Sequence, residues 1–359
     1  MNPRPRLSII VPASRGPEFI APLIRSLEGQ TAAPGLFELI LVCDHAARYS
    51  SERFSVRTIR AASRHPCAKR NEGAAAAASQ EHLAFIDDDV KVEPHWVARV
   101  LAALDDGSAD VVTGPSDIPY SSDRDQLVAN AIICSRFFSL KTAMAQRSRR
   151  SIRFFEVSLC NAALKRAVWE RVGGFNEVAA YWIDDAEFFH IAESLGFRLV
   201  NDPEMRLAHH KRPAWRPMAA HYFRQRWHAG LSTWLFPELY LPQTAVPLSA
   251  ALLLLLLAFP GLVLPALAAA LAACGLVGAI VLAPSGAPGA AARLGVSLPI
   301  GMAANFLGFW LGLLAGPFFR LAAAPARAYK RYRYRDRGRP FLGQEIVQPP
   351  WSVLRQLVP

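Results

Sequence analysis

Residues 83 to 89, Leu-Ala-Phe-Ile-Asp-Asp-Asp, place four apolar side chains directly before three carboxylates. The apolar run suits a buried strand, and carboxylates at its end cannot stay buried without partners. The strand is therefore expected to emerge from a sheet edge and present Asp87 and Asp89 at its C-terminal rim, where open α/β sheets bind ligands. Two carboxylates at i and i+2 can hold a hard divalent cation, and that cation can neutralise a diphosphate. A plain acidic turn after a strand is the other reading of these residues.

Acids recur where elements meet. Asp44 closes a second apolar run, Leu36 to Cys43, and Asp185 stands near the start of a helix expected over Tyr181 to Leu195. Strand ends converge at one rim of a doubly wound sheet, so these residues can share a site. One acid could hold a base or ribose, two a metal, and one could take a proton.

The elements that must position them alternate. Leu7 to Val11, Leu36 to Cys43, Ser55 to Arg60, Leu83 to Ile86 and Asp110 to Thr113 read as strands, with Pro12 ending the first. Helices are expected up to about Glu28, over Ala68 to Ser79 and over His95 to Leu104. This order implies an α/β fold with a mostly parallel sheet covered on both faces. Beyond it come a helix near Arg124 to Ala145, a basic loop (Arg147, Arg149, Arg150, Arg153), and short strands at Phe197 to Val200 and Met205 to Ala208. The loop is either a solvated charge run or a flap over an anionic substrate. Trp96 and Trp169 read as packing residues.

The C-terminal part has another character. Residues 246 to 319 contain no acid and a single base, Arg293, and blocks such as Leu252 to Leu257 are apolar on every face. That is the pattern of membrane spans. Three stretches, 246–264, 266–283 and 296–319, are long enough, yet an odd number would separate the two flanking domains. An even number is expected, with Pro260 and Pro265 as the weak point. Residues 218 to 236 mix cations with aromatics, as a helix lying in the interface does; a surface helix packed on the domain is the alternative. Arg320 to Arg339 holds eight Lys/Arg against Asp336, which is eight less one, or +7 of the chain's +11. Beside an apolar region, that charge suits anionic lipid and the cytoplasmic side rather than nucleic acid. Leu7 to Val11 is too short for a signal-peptide core, so the first domain is expected to face the cytoplasm at the inner or plasma membrane. Five scattered cysteines form no C-x-x-C pair, which argues against a zinc site or disulfide framework.

Short motifs sharpen this reading. Leu7-Ser-Ile-Ile-Val-Pro12 and Ser26-Leu-Glu-Gly-Gln30 are followed by Leu39-Ile-Leu-Val-Cys-Asp44 and Lys69-Arg-Asn-Glu-Gly73. Next come Phe85-Ile-Asp-Asp-Asp89, Gly173-Gly-Phe-Asn-Glu177 and Asp184-Asp-Ala-Glu187. In this order, over roughly residues 6 to 230, they resemble the family-2 glycosyltransferases of the GT-A fold. The resemblance implies a Rossmann-like, mostly parallel sheet, a nucleotide-sugar donor (UDP- or GDP-linked) and Mg²⁺ or Mn²⁺. Pro12, Asp44, Arg70, Asn71, Asp87 and Asp88 would line the donor site, and Asp89 would ligate the metal. His209 would join Asp89 there, unless it is an ordinary surface histidine. Asp185 would be the general base, and the anomeric configuration would invert.

The chain departs from the family pattern in places. Cys43 stands where the first of two acids is usual, and Asp184 where Glu is usual. Phe223 stands three before Arg226-Trp227, where processive synthases of the family carry Gln. Four segments are expected: 1–217 as the GT-A domain, 218–243 as an interfacial segment, 244–319 as the membrane region, and 320–359 as a basic tail. The expected activity is transfer to a lipid-linked or envelope glycan acceptor. A processive polysaccharide synthase and a catalytically silent nucleotide-sugar-binding scaffold are the alternatives.

Overall fold

The computed structural model describes residues 5–46, 48–117, 148–175 and 184–209, with parts of 220–233, 254–272 and 306–315. The chain opens with β1 (Leu7–Ala13), buried at every position as a parallel strand covered on both faces must be. β1 runs past Pro12, where the sequence suggested a stop. Its pairing with β4 (His82–Ile86) ends at Ile10, whereas its pairing with β2 (Phe37–Cys43) continues to Ala13. A strand with one open side tolerates a proline.

Between these strands, α1 (Pro17–Glu28) starts with proline in its first turn and buries Ile20, Leu23, Ile24 and Leu27 along one stripe. β3 (Ser55–Arg60) lies at the sheet edge beside β2. α2 (Pro66–Ala76) begins earlier than the alanine run suggested, because Pro66 opens it and the His65 ring accepts from the Cys67 N–H. β5 (Val90–Val92), α3 (Trp96–Asp105), β6 (Val111–Thr113) and β7 (Ser116–Asp117) follow. After the gap come β8 (Arg150–Ser151), β9 (Asn161–Lys165), α4 (Arg166–Val172) and α5 (Asp184–Ser194). β10 (Leu199–Asn201) and β11 (Leu207–His209) complete the set.

Among the described residues the strands form an eight-stranded sheet in the order β3-β2-β1-β4-β9-β6-β10-β8 and a three-stranded sheet in the order β5-β11-β7. The large sheet is mostly parallel, as expected, with β9 antiparallel to both neighbours and β8 antiparallel at the edge. Alternate residues of β1 feed two cores: Leu7, Ile9 and Val11 pack with α1 and α3, while Ile10 packs on the other face with helix residues such as Val168 and Phe188.

The basic loop is no flap where it is described. Arg149 pairs with Asp106 at 2.8 Å, Arg150 with Glu156, and Arg153 with Glu193 at 2.5 Å, so these cations hold the β8 edge to the domain. Trp96 is fully buried, as its packing role requires.

Among the described residues no helix is long and apolar enough to cross a membrane. Most of 246–304, the tail 320–359 and the helix expected near Arg124 to Ala145 lie outside the described residues. Within the first apolar stretch a 3₁₀ turn, Pro260–Leu262, falls at the expected weak point. The helical residues of 220–233 pack against those of 306–315 without side chains between their backbones. A Cβ on Gly308 would strike the Phe223 carbonyl, one on Gly312 that of Trp227, and one on Gly230 that of Phe309. This is the close approach that small residues four apart permit.

Gly73 sets how closely α2 lies on the sheet. A Cβ there would come to 2.5 Å from Ile10 Cγ2 and 3.3 Å from Val42 Cγ2. Gly73→Ala is therefore expected to destabilise the domain by about 1–3 kcal/mol, read as a lowered thermal midpoint.

Candidate active site

The site is built at the C-terminal rim of β1, β2 and β4, and a buried lysine holds that rim together. Lys69, on α2, is 0% exposed. Its ammonium donates to the Ala13 carbonyl at 2.9 Å and to Ser14 Oγ at 3.0 Å, and pairs with Asp44 Oδ1 at 2.8 Å. The end of β1 and the residue after β2 are thus fixed to one helix. Asp44 keeps part of its carboxylate open, with the side chain 22% exposed. Cys43, one residue earlier, points into the core and burial pushes its thiol up. Its side chain serves packing, which accounts for an apolar residue at a position where an acid is usual.

The three acids after β4 separate by face. Asp88 turns to the β1–α1 loop, where Oδ2 accepts the backbone N–H groups of Ser14 at 2.8 Å and Arg15 at 2.9 Å. Burial pushes its carboxyl up, against the pull of those two bonds and of the Arg15 guanidinium. The structure therefore gives Asp88 the work of shaping the loop. Asp87 and Asp89 share another side. Asp87 pairs with Arg70 Nη2 at 3.4 Å, and Asp89 with Arg15 Nη1 at 2.6 Å. His209 lies between them, its Nε2 2.9 Å from Asp89 Oδ1 and 3.8 Å from Asp87 Oδ2. It is buried, not a surface residue.

Strand register explains the convergence. β11 pairs antiparallel with β5, placing His209 opposite Val90, one residue from Asp89. β9 pairs antiparallel with β4, placing Asn161 opposite Ile86 and so bringing Cys160 beside Asp87. Ligand atoms of Asp87, Cys160 and His209 all lie within 4.8 Å of one another. This set of carboxylate oxygen, imidazole nitrogen and sulfur fits a divalent cation.

Asn71 and Pro12 do different work. Asn71 Nδ2 donates to the Phe175 carbonyl at 2.9 Å, and its Oδ1 accepts from the Phe175 N–H at 2.8 Å. Gly174, just before, has φ +76°, and a Cβ on it would fall 2.8 Å from Asn71 Oδ1. Phe175 in turn stacks on Phe188 of α5 at 4.5 Å and meets Phe85 of β4 edge-on at 5.0 Å. These rings tie the first turns of α5 to the strand that carries the acids. Asp185 stands in that first turn, partly exposed, its Oδ1 accepting from the Ala186 N–H at 2.7 Å. Asp184 is helical and Glu187 is fully buried. Pro12 is buried within β1 opposite Val42.

Sequence reasoning missed Lys69, Arg15 and Cys160 as parts of the site. Lys69 carried little local signal, because it stands beside Arg70 in a polar stretch of the helix and nothing there marks which of the two cations is buried.

Comparison with known proteins bears on the family and the fold. Residues 8–172 match the family described as Glycosyl transferase family 2. An O-antigen biosynthesis protein, RfbC of Myxococcus xanthus, is 26% identical over 254 residues, covering 65% of this chain. The match spans only 20% of that relative's length. The solved structure of a mannosyltransferase from Pyrobaculum calidifontis, PcManGT in complex with GDP-Man and Mn²⁺, superposes with a TM-score of 0.51 at 18% identity. That superposition covers 90% of this chain and 88% of the other, and it supports the GT-A-like fold.

Replacing Asn71 with alanine would leave the Phe175 amide and carbonyl without partners. The expected cost is about 1–3 kcal/mol, read as a lowered thermal midpoint.

Proposed function

Taking as premise that residues 8–172 match the model of glycosyl transferase family 2, we propose that the chain transfers a sugar from a nucleotide-sugar donor, with a divalent cation and with inversion. One observation carries the reading. Asp44, Asp87, Asp89 and His209, drawn from the ends of three strands, β2, β4 and β11, lie at the rim where a nucleotide diphosphate is bound in such sheets.

Each residue then has a task. Asp44, held by Lys69 but still open to solvent, accepts hydrogen bonds from the base or ribose. Asp87, Asp89 and His209 would hold Mg²⁺ or Mn²⁺, which when bound supplies positive charge against the leaving diphosphate. The guanidinium groups of Arg15 and Arg70 lie on the same carboxylates and add positive charge beside the diphosphate. Arg70 thus acts at one remove from the donor, and Asn71 by fixing the 173–175 turn. Asp185, at the start of α5, takes the proton from the acceptor hydroxyl as it attacks the anomeric carbon. The bound GDP-Man and Mn²⁺ of the solved neighbour favour this assignment, with a GDP- or UDP-linked sugar as donor.

The rest of the chain supports one class of acceptor. Leu254, Leu255, Leu257, Leu307, Leu311 and Leu314 are exposed large apolar residues within an almost uncharged region. Together with the basic segment that follows, they favour a membrane-tethered enzyme whose first domain faces the cytoplasm. A lipid-linked or envelope glycan is the acceptor such placement suits, and the name of the relative RfbC points the same way.

The direct test is a donor-binding and hydrolysis screen on detergent-solubilised full-length protein with Mn²⁺, Mg²⁺ or EDTA. One donor is expected to bind only with metal and to lose its nucleotide slowly; failure of every donor under all conditions overturns the reading. Asp185→Asn is expected to lower transfer at least about 100-fold while leaving donor affinity within a factor of a few. Unaltered turnover would remove Asp185 from the mechanism.

A further inference from the structure

The sulfur beside the acidic pair is held too firmly to be an incidental neighbour. Cys160 Sγ lies 3.2 Å from Ser116 Oγ and 3.1 Å from Ser158 Oγ. Ser116 belongs to β7, which pairs with β11, the strand that delivers His209. The next residue, Asn161, is fully buried with three bonds of its own. Its Nδ2 donates to the Pro115 carbonyl at 3.0 Å and to that of Met205 at 2.8 Å, and its Oδ1 accepts from Trp96 Nε1 at 2.9 Å. Cys160 is therefore carried on a rigid frame, at the start of the strand whose register sets it against Asp87.

We propose that Cys160 is a protein ligand of the divalent cation and that its sulfur sets which ion the site prefers. The inference rests on the reading of the rim as a metal-assisted donor site. It adds that the ligand set is mixed: oxygen from Asp87, nitrogen from His209 and sulfur from Cys160, mutually within 4.8 Å. An all-oxygen set suits Mg²⁺, whereas a thiolate favours softer ions such as Co²⁺, Zn²⁺ and Cd²⁺ and weakens the case for Mg²⁺. On binding, the metal–sulfur bond forms as the S–H bond breaks, and the proton passes to water. The serine hydroxyls beside the sulfur can turn to donate to the thiolate and keep it oriented.

The test uses the full-length protein in detergent, titrated with Co²⁺ and separately with Cd²⁺, without donor. A thiolate-to-metal charge-transfer band is expected to saturate near one equivalent and to vanish in Cys160→Ser. The same variant is expected to lower the ratio of Co²⁺ to Mg²⁺ affinity at least about tenfold. A band that persists in Cys160→Ser, cobalt bound without a band, or no cobalt binding at all overturns the assignment. If Cys160→Ser does not fold, the wild-type spectrum still decides: protection of Cys160 from alkylation by Cd²⁺, mapped by mass spectrometry, is expected, and its absence overturns the proposal. Failure of the two readings can be told apart. Metal-dependent transfer with no thiolate band sinks the sulfur ligand alone, whereas a Cys160 band in a protein that binds no donor sinks the transferase reading alone.

Discussion

A fully buried ammonium is expensive to desolvate, and the donor rim is organised around meeting that cost at Lys69. It donates to the Ala13 carbonyl and Ser14 Oγ and forms an ion pair with the Asp44 carboxylate, so the buried charge is paired. Those partners belong to the β1 end, the loop after it and the β2 end. Moving Asp44 would leave the buried ammonium without its counter-charge, and moving either of the others would cost it a hydrogen bond. The spacing of two strand ends is therefore fixed before any substrate arrives, which is the preorganisation an electrostatic site requires.

The next turn of the same helix extends this economy. Arg70 reaches Asp87, Asn71 clamps Phe175, and Gly73 lets the helix lie on Ile10. Residues within one turn thus address a carboxylate, a distant turn and the sheet. The Asn71 clamp and the Phe85, Phe175 and Phe188 rings carry the link onward to the helix of Asp185. In this way the donor side and the proposed base share one scaffold.

Much of this was legible in the chain, for physical reasons. Buried parallel strands such as β1, β2 and β4 are short apolar runs, β2 and β4 followed directly by acid, and their bounds agree with the structure to within one or two residues. The period of two put Asp87 and Asp89 on a common side. The motif resemblance, which grouped Asp88 with them as a nucleotide contact, gave no hint that Asp88 turns to the loop. Lys69, Arg15 and Cys160 were harder. Each acquires its place through pairing between segments far apart in the chain, and no local pattern encodes that. The charge run at Arg149 to Arg153 looked available because two of its three carboxylate partners, Asp106 and Glu193, lie about 40 residues away on either side. Cys43 differs again. Whether a residue at a strand end faces core or rim depends on strand twist, which composition does not disclose.

β9 carries a consequence for the order in which the molecule assembles. β1 to β4 are parallel and come from the first 86 residues, so they can associate as soon as that length of chain exists. β9 pairs with both β4 and β6, and it leaves the ribosome only when residue 165 has been made. Such distant pairing is slow and leaves edges of β4 and β6 open in the meantime. Newly made chains therefore pass through a stage in which the acids after β4 exist without Cys160 or His209 beside them. The ligand cluster is complete only when β11 has brought His209 to the rim, after β9 has taken its place in the middle of the sheet.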